Sequence, residues 1–199
     1  MEFFGRAPGQ PLRLGVFPGT FNPVTVAHIE LARAALPFVD EVVFVLPREF
    51  PHKPYEGASF TQRVQMLQSA IGDQPAFSIA ASDRGLFVEI ARECRDAYGR
   101  EVELTFLCGR DAAERIAGWN YGHPGAFLEM LREFTLLVAA RQGEYAPPSE
   151  YRHAVRHLQL CGDFDEVSGS DVRQRIARGE PWKHLVPVAI QREVAAIYG

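Results

Sequence analysis

Apolar and polar residues alternate along this chain in blocks whose period changes. Residues 12–17, Leu-Arg-Leu-Gly-Val-Phe, form a short apolar run that reads as a strand. A turn rich in Gly and Pro follows over 18–23. Residues 24–36 then place Ala27, Leu31 and the pair Ala34 and Ala35 on one stripe, and Pro37 ends that helix. Residues 41–46 are a second, continuous apolar run, the pattern of a strand covered on both faces of a parallel sheet. The alternation continues. Residues 47–58 read as a polar loop, 59–70 as a helix, 77–80 as a strand, 86–98 as a helix ended by Gly99, and 102–108 as a strand. Residues 111–117 and 126–132 read as helices, 134–139 and 157–160 as strands, and 169–178 and 187–198 as closing helices. Strands alternating with helices predict an α/β fold with a doubly wound, Rossmann-like parallel sheet. Ligands in such sheets bind beyond the carboxyl ends of the strands, so the informative loops follow Phe17, Leu46, Cys108 and Leu160.

Composition narrows the class. The 199 residues, 47% of them hydrophobic, suffice for one core, and a single domain over 1–199 is expected. A net charge of −4 argues against a nucleic-acid partner, which calls for a basic stripe. It leaves room for a local anion site. Cys94, Cys108 and Cys161 show no paired spacing, so neither a disulfide framework nor a structural metal site is expected. Residues 1–11 lack the apolar segment of a signal peptide, and no run approaches a membrane span. A cytoplasmic protein with no membrane partner is the expectation.

The first loop carries the strongest chemistry. Gly19-Thr20-Phe21-Asn22-Pro23-Val24-Thr25-Val26-Ala27-His28 follows a strand and opens a helix. Gly19 lets a ligand approach the backbone. Two helix starts are open: Asn22 as cap with Pro23 first in the helix, or Thr25 as cap. Either way the free N–H groups of the first turn make a phosphate site. Thr25 and His28, three apart, fall on one side of it.

This segment resembles the G-x-F-x-P-x-[HT]-x-x-H signature of the nucleotidyltransferase superfamily. Pro18 and Ala27 stand where that family commonly has Gly. A second stretch, Val167-Ser168-Gly169-Ser170-Asp171-Val172-Arg173, opens another helix. Ser168 is a good cap, and Asp171 three residues on completes a capping-box-like pair. Arg173 leans back over the helix start. This stretch resembles the superfamily's I-S-S-T-x-I-R, with Gly169 and Ser170 replacing Ser and Thr. Pro51-His52-Lys53, Arg63 and Met66-Leu67 resemble the P-H-K and R-x-x-M-L elements of the nicotinate-mononucleotide adenylyltransferase branch. Gly109-Arg110-Asp111 stands where that branch has G-A-D, and Trp119 where it carries a Trp near the pyridine ring. Residues 85–91, Gly-Leu-Phe-Val-Glu-Ile-Ala, replace its hydroxyl-rich S-Y-T-x-D-T-L.

The resemblance implies an adenylyltransferase that moves AMP from ATP to nicotinate mononucleotide in NAD biosynthesis, releasing pyrophosphate. It implies His28, Thr25 and Arg173 as catalytic residues, and Gly19, Thr20, Phe21, Gly109, Asp111, Ser168 and Ser170 on the nucleotide. Lys53 and Trp119 are implied at the acceptor. Mg²⁺ would arrive with ATP, without a protein cage for it. The partners are small-molecule substrates, and a homo-oligomer is compatible. Two alternatives stand: another phosphorylated acceptor such as phosphopantetheine, which the T-x-x-H form accommodates, and a nucleotide-binding regulatory module without catalysis.

Overall fold

The computed structural model describes residues 1–49, 56–139 and 145–199. They form a seven-stranded sheet built from β1 (Glu2–Gly5), β2 (Arg13–Pro18), β3 (Glu41–Pro47), β4 (Phe77–Ser82), β5 (Glu103–Gly109), β6 (Thr135–Ala139) and β7 (Val155–Leu158), in the order β1-β4-β3-β2-β5-β6-β7. Every neighbouring pair is parallel except β1 and β4. The order reverses at β2, between β3 and β5, which makes the carboxyl ends of those three strands the switch point.

Helices cover both faces: α1 (Val26–Ala35), α2 (Phe60–Ile71), α3 (Phe87–Tyr98), α4 (Arg110–Ala117), α5 (Ala126–Met130), α6 (Gly169–Arg178) and α7 (Gln191–Tyr198). The two-residue period of β3 sorts its side chains between two cores. Val42, Phe44 and Leu46 pack in one layer with residues of α1, α2, α6 and α7, while Val43 and Val45 pack in the other with residues of α3, α4 and α5. β3 is buried at all seven positions, which is why its sequence is apolar without alternation. Gly15 on β2 is needed for closeness: a Cβ there would lie 3.0 Å from Val39 Cγ2.

The sequence reading needs four corrections. β1 was not foreseen. It is four residues long, and its register partners Ile79, Ala80 and Ala81 are remote in sequence, so no local pattern marks it. β7 begins two residues earlier than the expected 157–160, because Leu136 and Ala139 on β6 register with Val155 and Leu158. The last helix begins at Gln191, after a 3₁₀ turn over Val188–Ile190. The first helix begins at Val26 with Thr25 as cap, so Asn22 and Pro23 lie outside it, joined by a cis peptide bond. Among the described residues no helix is long and apolar enough to cross a membrane.

Candidate active site

A cavity of about 310 Å³ opens at the switch point. Pro18, Gly19 and Thr20 reach it from the end of β2, Pro47 and Glu49 from β3, and Cys108 and Gly109 from β5. Ala27, His28 and Leu31 of α1 line one wall, and Ala112, Arg115 and Ile116 of α4 line another, with Gly85 and Phe87 nearby. Phe87 is held in place by stacking on Phe106 at 4.4 Å.

Local geometry in the first loop fixes His28. The Thr25 backbone N–H donates to His28 Nδ1 at 3.0 Å, and the Thr25 hydroxyl lies 2.7 Å from the same nitrogen. A ring nitrogen that accepts from a backbone N–H carries no proton, so the ring proton sits on Nε2. The Phe21 ring meets the imidazole edge-on at 5.3 Å and Phe17 lies 5.9 Å away, so the ring is oriented as well as tautomerically set. Thr25 itself is 0% exposed. Its hydroxyl is therefore directed at His28, and the expected pairing of hydroxyl and imidazole at the cavity surface reduces to the imidazole alone.

Gly19 lines the cavity, and its missing side chain is also needed for packing. A Cβ there would lie 2.7 Å from Phe21 Cζ, so the missing side chain makes room for an aromatic ring. Phe21 has φ of 46°, in the left-handed region few non-glycine residues enter. That turn swings its ring inward to 1% exposure, away from the cavity lining.

The second helix start meets the first loop. Arg173 Nη1 donates to the Asn22 carbonyl, and Nη2 donates to Ser170 Oγ at 3.3 Å. A Cβ on Gly169 would stand 2.9 Å from the Asn22 carbonyl oxygen and 3.0 Å from that of Pro23. Glycine in place of the superfamily's Ser thus lets α6 close against the loop. Ser168 caps α6 by accepting from Asp171 N–H at 3.0 Å. The Asp171 carboxylate turns instead to Arg175 Nε at 3.1 Å, so the expected capping-box pair is half formed.

The remaining residues divide. Gly109 lines the cavity and occupies the cap position of α4, which displaces Asp111 into the exposed first turn, outside the lining. Trp119, 37% exposed, lines a separate hollow of about 330 Å³ with Tyr121, His123, Phe127 and Tyr151, so the structure does not bring it to the main cavity. Burial pushes the Tyr121 phenol up to about 12. Lys53 lies outside the described residues. Arg63, part of the stretch resembling R-x-x-M-L, is 3% exposed and donates to the Thr20 carbonyl at 3.0 Å. Burial pushes the Cys108 thiol, on the cavity's β5 side, up to about 12.

Sequence reasoning missed two features. Asn22 is a junction: its Nδ2 donates to the Glu56 carbonyl at 2.8 Å, and its Oδ1 accepts from Ala58 N–H at 3.1 Å and from the Tyr198 hydroxyl. No local signal marks these remote partners. Arg115 is the second. Its spacing from Ala112 and its adjacency to Ile116 put a charge on an apolar helix stripe, and that signal was legible.

The model of the cytidylyltransferase-like family matches residues 16–175. The chain belongs to the cytidylyltransferase-like family. Among its relatives is a protein of Moorella thermoacetica named "Probable nicotinate-nucleotide adenylyltransferase", 32% identical, with the match covering 93% of this chain and 90% of that one. A protein of Stenotrophomonas maltophilia bearing the same name is 32% identical, with 90% and 93% covered. The fold matches that of Plasmodium falciparum nicotinic acid mononucleotide adenylyltransferase, solved in complex with NaAD, at a TM-score of 0.69 and 16% identity over 92% of this cytidylyltransferase-like chain and 95% of the other.

Proposed function

We propose that this chain transfers AMP from ATP to nicotinate mononucleotide, forming the dinucleotide and pyrophosphate. The observation that carries the reading is the closure of α6 on the first loop, with Arg173 bonded to the Asn22 carbonyl beside the helix that bears His28. The helix start that bears Arg173 thus meets the loop leading into α1, whose His28 lines the cavity, and two such starts suit the phosphates of one nucleotide. Relatives that share the adenylyltransferase name along nine-tenths of this chain support the same reaction.

The chemistry needs little covalent help. An oxygen of the acceptor's phosphate attacks the α-phosphorus of ATP. The bond from that phosphorus to the oxygen bridging the α- and β-phosphates breaks, and pyrophosphate leaves with the electron pair. A phosphate monoester is already ionised near neutral pH, so no general base is required. The His28 Nε2–H donates to an α-phosphate oxygen as charge builds there. Arg173 and the N–H groups opening α6 hold the β- and γ-phosphates, and the cavity aligns the two substrates. Among the described residues no three acidic, His or Cys groups gather into a metal site. Mg²⁺ fits as an ion carried by the triphosphate and water, in keeping with its reluctance to dehydrate, and it would supply charge neutralisation there. Lys53 remains a proposed acceptor contact, whereas Trp119 stands over its separate hollow. Two buried, free thiols, Cys94 and Cys108, suit a reducing cytoplasm.

Pyrophosphate release from ATP, measured with nicotinate mononucleotide, nicotinamide mononucleotide and phosphopantetheine as acceptors, tests this reading. Turnover with nicotinate mononucleotide is expected to dominate. Preference for phosphopantetheine, or no release with any acceptor, would overturn it.

A further inference from the structure

Arg115 lines the cavity from α4, across the sheet from α1. Residues of α1 pack in one core layer and residues of α4 in the other, so the wall that carries Arg115 faces the wall that carries His28. It contributes the one guanidinium among the cavity's described lining residues. Its helical neighbours do not claim it: Arg110 Nε bonds Glu114 Oε1 at 2.8 Å, and Arg115 forms no ion pair among the described residues. The cavity's carboxylate, Glu49, is engaged by Arg84 at 3.3 Å. Around Arg115 the surface is apolar. Phe87, Ala112 and Ile116 offer a flat wall, and Gly85-Leu86-Phe87 presents no side-chain hydroxyl to the acceptor.

A planar ring set against such a wall is held by area, but a carboxylate on that ring needs a counter-charge once water is displaced. A guanidinium presents a planar fork that matches a carboxylate with two parallel hydrogen bonds, and its positive charge gains nothing comparable from a neutral amide. The phosphate end of the acceptor belongs at the opposite wall, beside His28. We infer that Arg115 is the acceptor-specificity residue of this cavity: its guanidinium takes the ring carboxylate of the acceptor and so selects the acid over the corresponding amide. This inference rests on the adenylyltransferase reading above and deepens it.

The test uses the full chain and its variants Arg115→Gln, Arg115→Ala and Arg115→Lys. Steady-state pyrophosphate release is followed with ATP and either nicotinate mononucleotide or nicotinamide mononucleotide. The ratio of kcat/KM for the acid over the amide is expected to fall about 10- to 100-fold in the Gln and Ala variants, the size of one charge-assisted contact. The fall should sit mainly in KM for the acid acceptor, and Lys should restore part of it. Arg115 is exposed, so these variants are expected to fold, and thermal melts check this. An unchanged ratio, or a loss read in KM for ATP instead, would overturn the assignment. Should the wild-type chain turn over the acid acceptor while the ratio stays fixed, Arg115's role alone falls. If it turns over neither acceptor, the adenylyltransferase reading falls and the inference falls with it.

Discussion

The Arg173 guanidinium donates to the main-chain carbonyl of Asn22, 151 residues earlier in the sequence. One residue therefore joins the two helix starts and supplies charge between them. Arg173→Ala should raise KM for ATP and lower kcat, reducing kcat/KM by about 100-fold, in the range for loss of one preorganised donor. Arg173→Lys should recover little, since a point charge cannot span the carbonyl, Ser170 and a phosphate together. Unchanged ATP affinity and rate in the Ala variant would remove Arg173 from the site.

His28→Ala should lower kcat by roughly 100-fold or more, as for loss of a transition-state donor. It should also lower stability by about 1 kcal/mol, because the Thr25 N–H loses its acceptor at the start of α1. Steady-state kinetics paired with denaturant unfolding reads both. A kinetic loss without any stability loss would mean the Thr25–His28 pair is not formed in solution.

Gly169→Ala introduces a Cβ 2.9 Å from the Asn22 carbonyl oxygen. Backbone atoms occupy that space, so α6 must shift away from the loop. A loss of about 1–3 kcal/mol is expected from this overpacking, together with a rise in KM for ATP. A variant with unaltered melting and kinetics would show that the two segments stand further apart.

Asn22→Ala removes the acceptor for Ala58 N–H and Tyr198, and the donor to the Glu56 carbonyl. Asn22 is buried, so a loss of about 2–3 kcal/mol is expected from the unsatisfied partners. Tyr198→Phe should cost less, since it leaves two of the three bonds intact. Chemical denaturation of the two variants decides the order.

Burial pushes the Cys94 and Cys108 thiols up to about 12, whereas Cys161 is exposed. Near neutral pH the buried thiols stay protonated and shielded from reagent. A thiol reagent should label one cysteine quickly in the native protein and the other two only on unfolding. Rapid labelling of all three would contradict the burial of Cys94 and Cys108.

Much of the fold was legible because each parallel strand and its covering helix advertise their own periods. Residues 169–178 and the strand after Asp40 could be placed from apolar pattern and caps alone. β1 could not, since Glu-Phe-Phe-Gly becomes a strand only when β4 offers an edge. In the site, the loop ending at His28 and the stretch ending at Arg173 were legible as motifs. What those residues do locally was not. Thr25 reads like a surface hydroxyl until tertiary packing buries it, and Gly169 reads like a lost hydroxyl until the Asn22 backbone arrives beside it. Trp119 shows the same limit: an aromatic at the expected spacing lines a neighbouring hollow and not the main cavity.

The antiparallel pairing of β1 with β4 also sets an order of assembly. Phe3 ends up against Tyr98 on α3, and Phe4 against Phe60 on α2, so this short strand grips both layers at once. During synthesis those two rings precede the helices and the β4 edge that receive them. The β4 edge that pairs with β1 follows Phe60 in the chain and Tyr98 follows β4, so both rings of this strand cannot be covered until α3 has been made, which leaves an adhesive aromatic surface on the nascent chain until then.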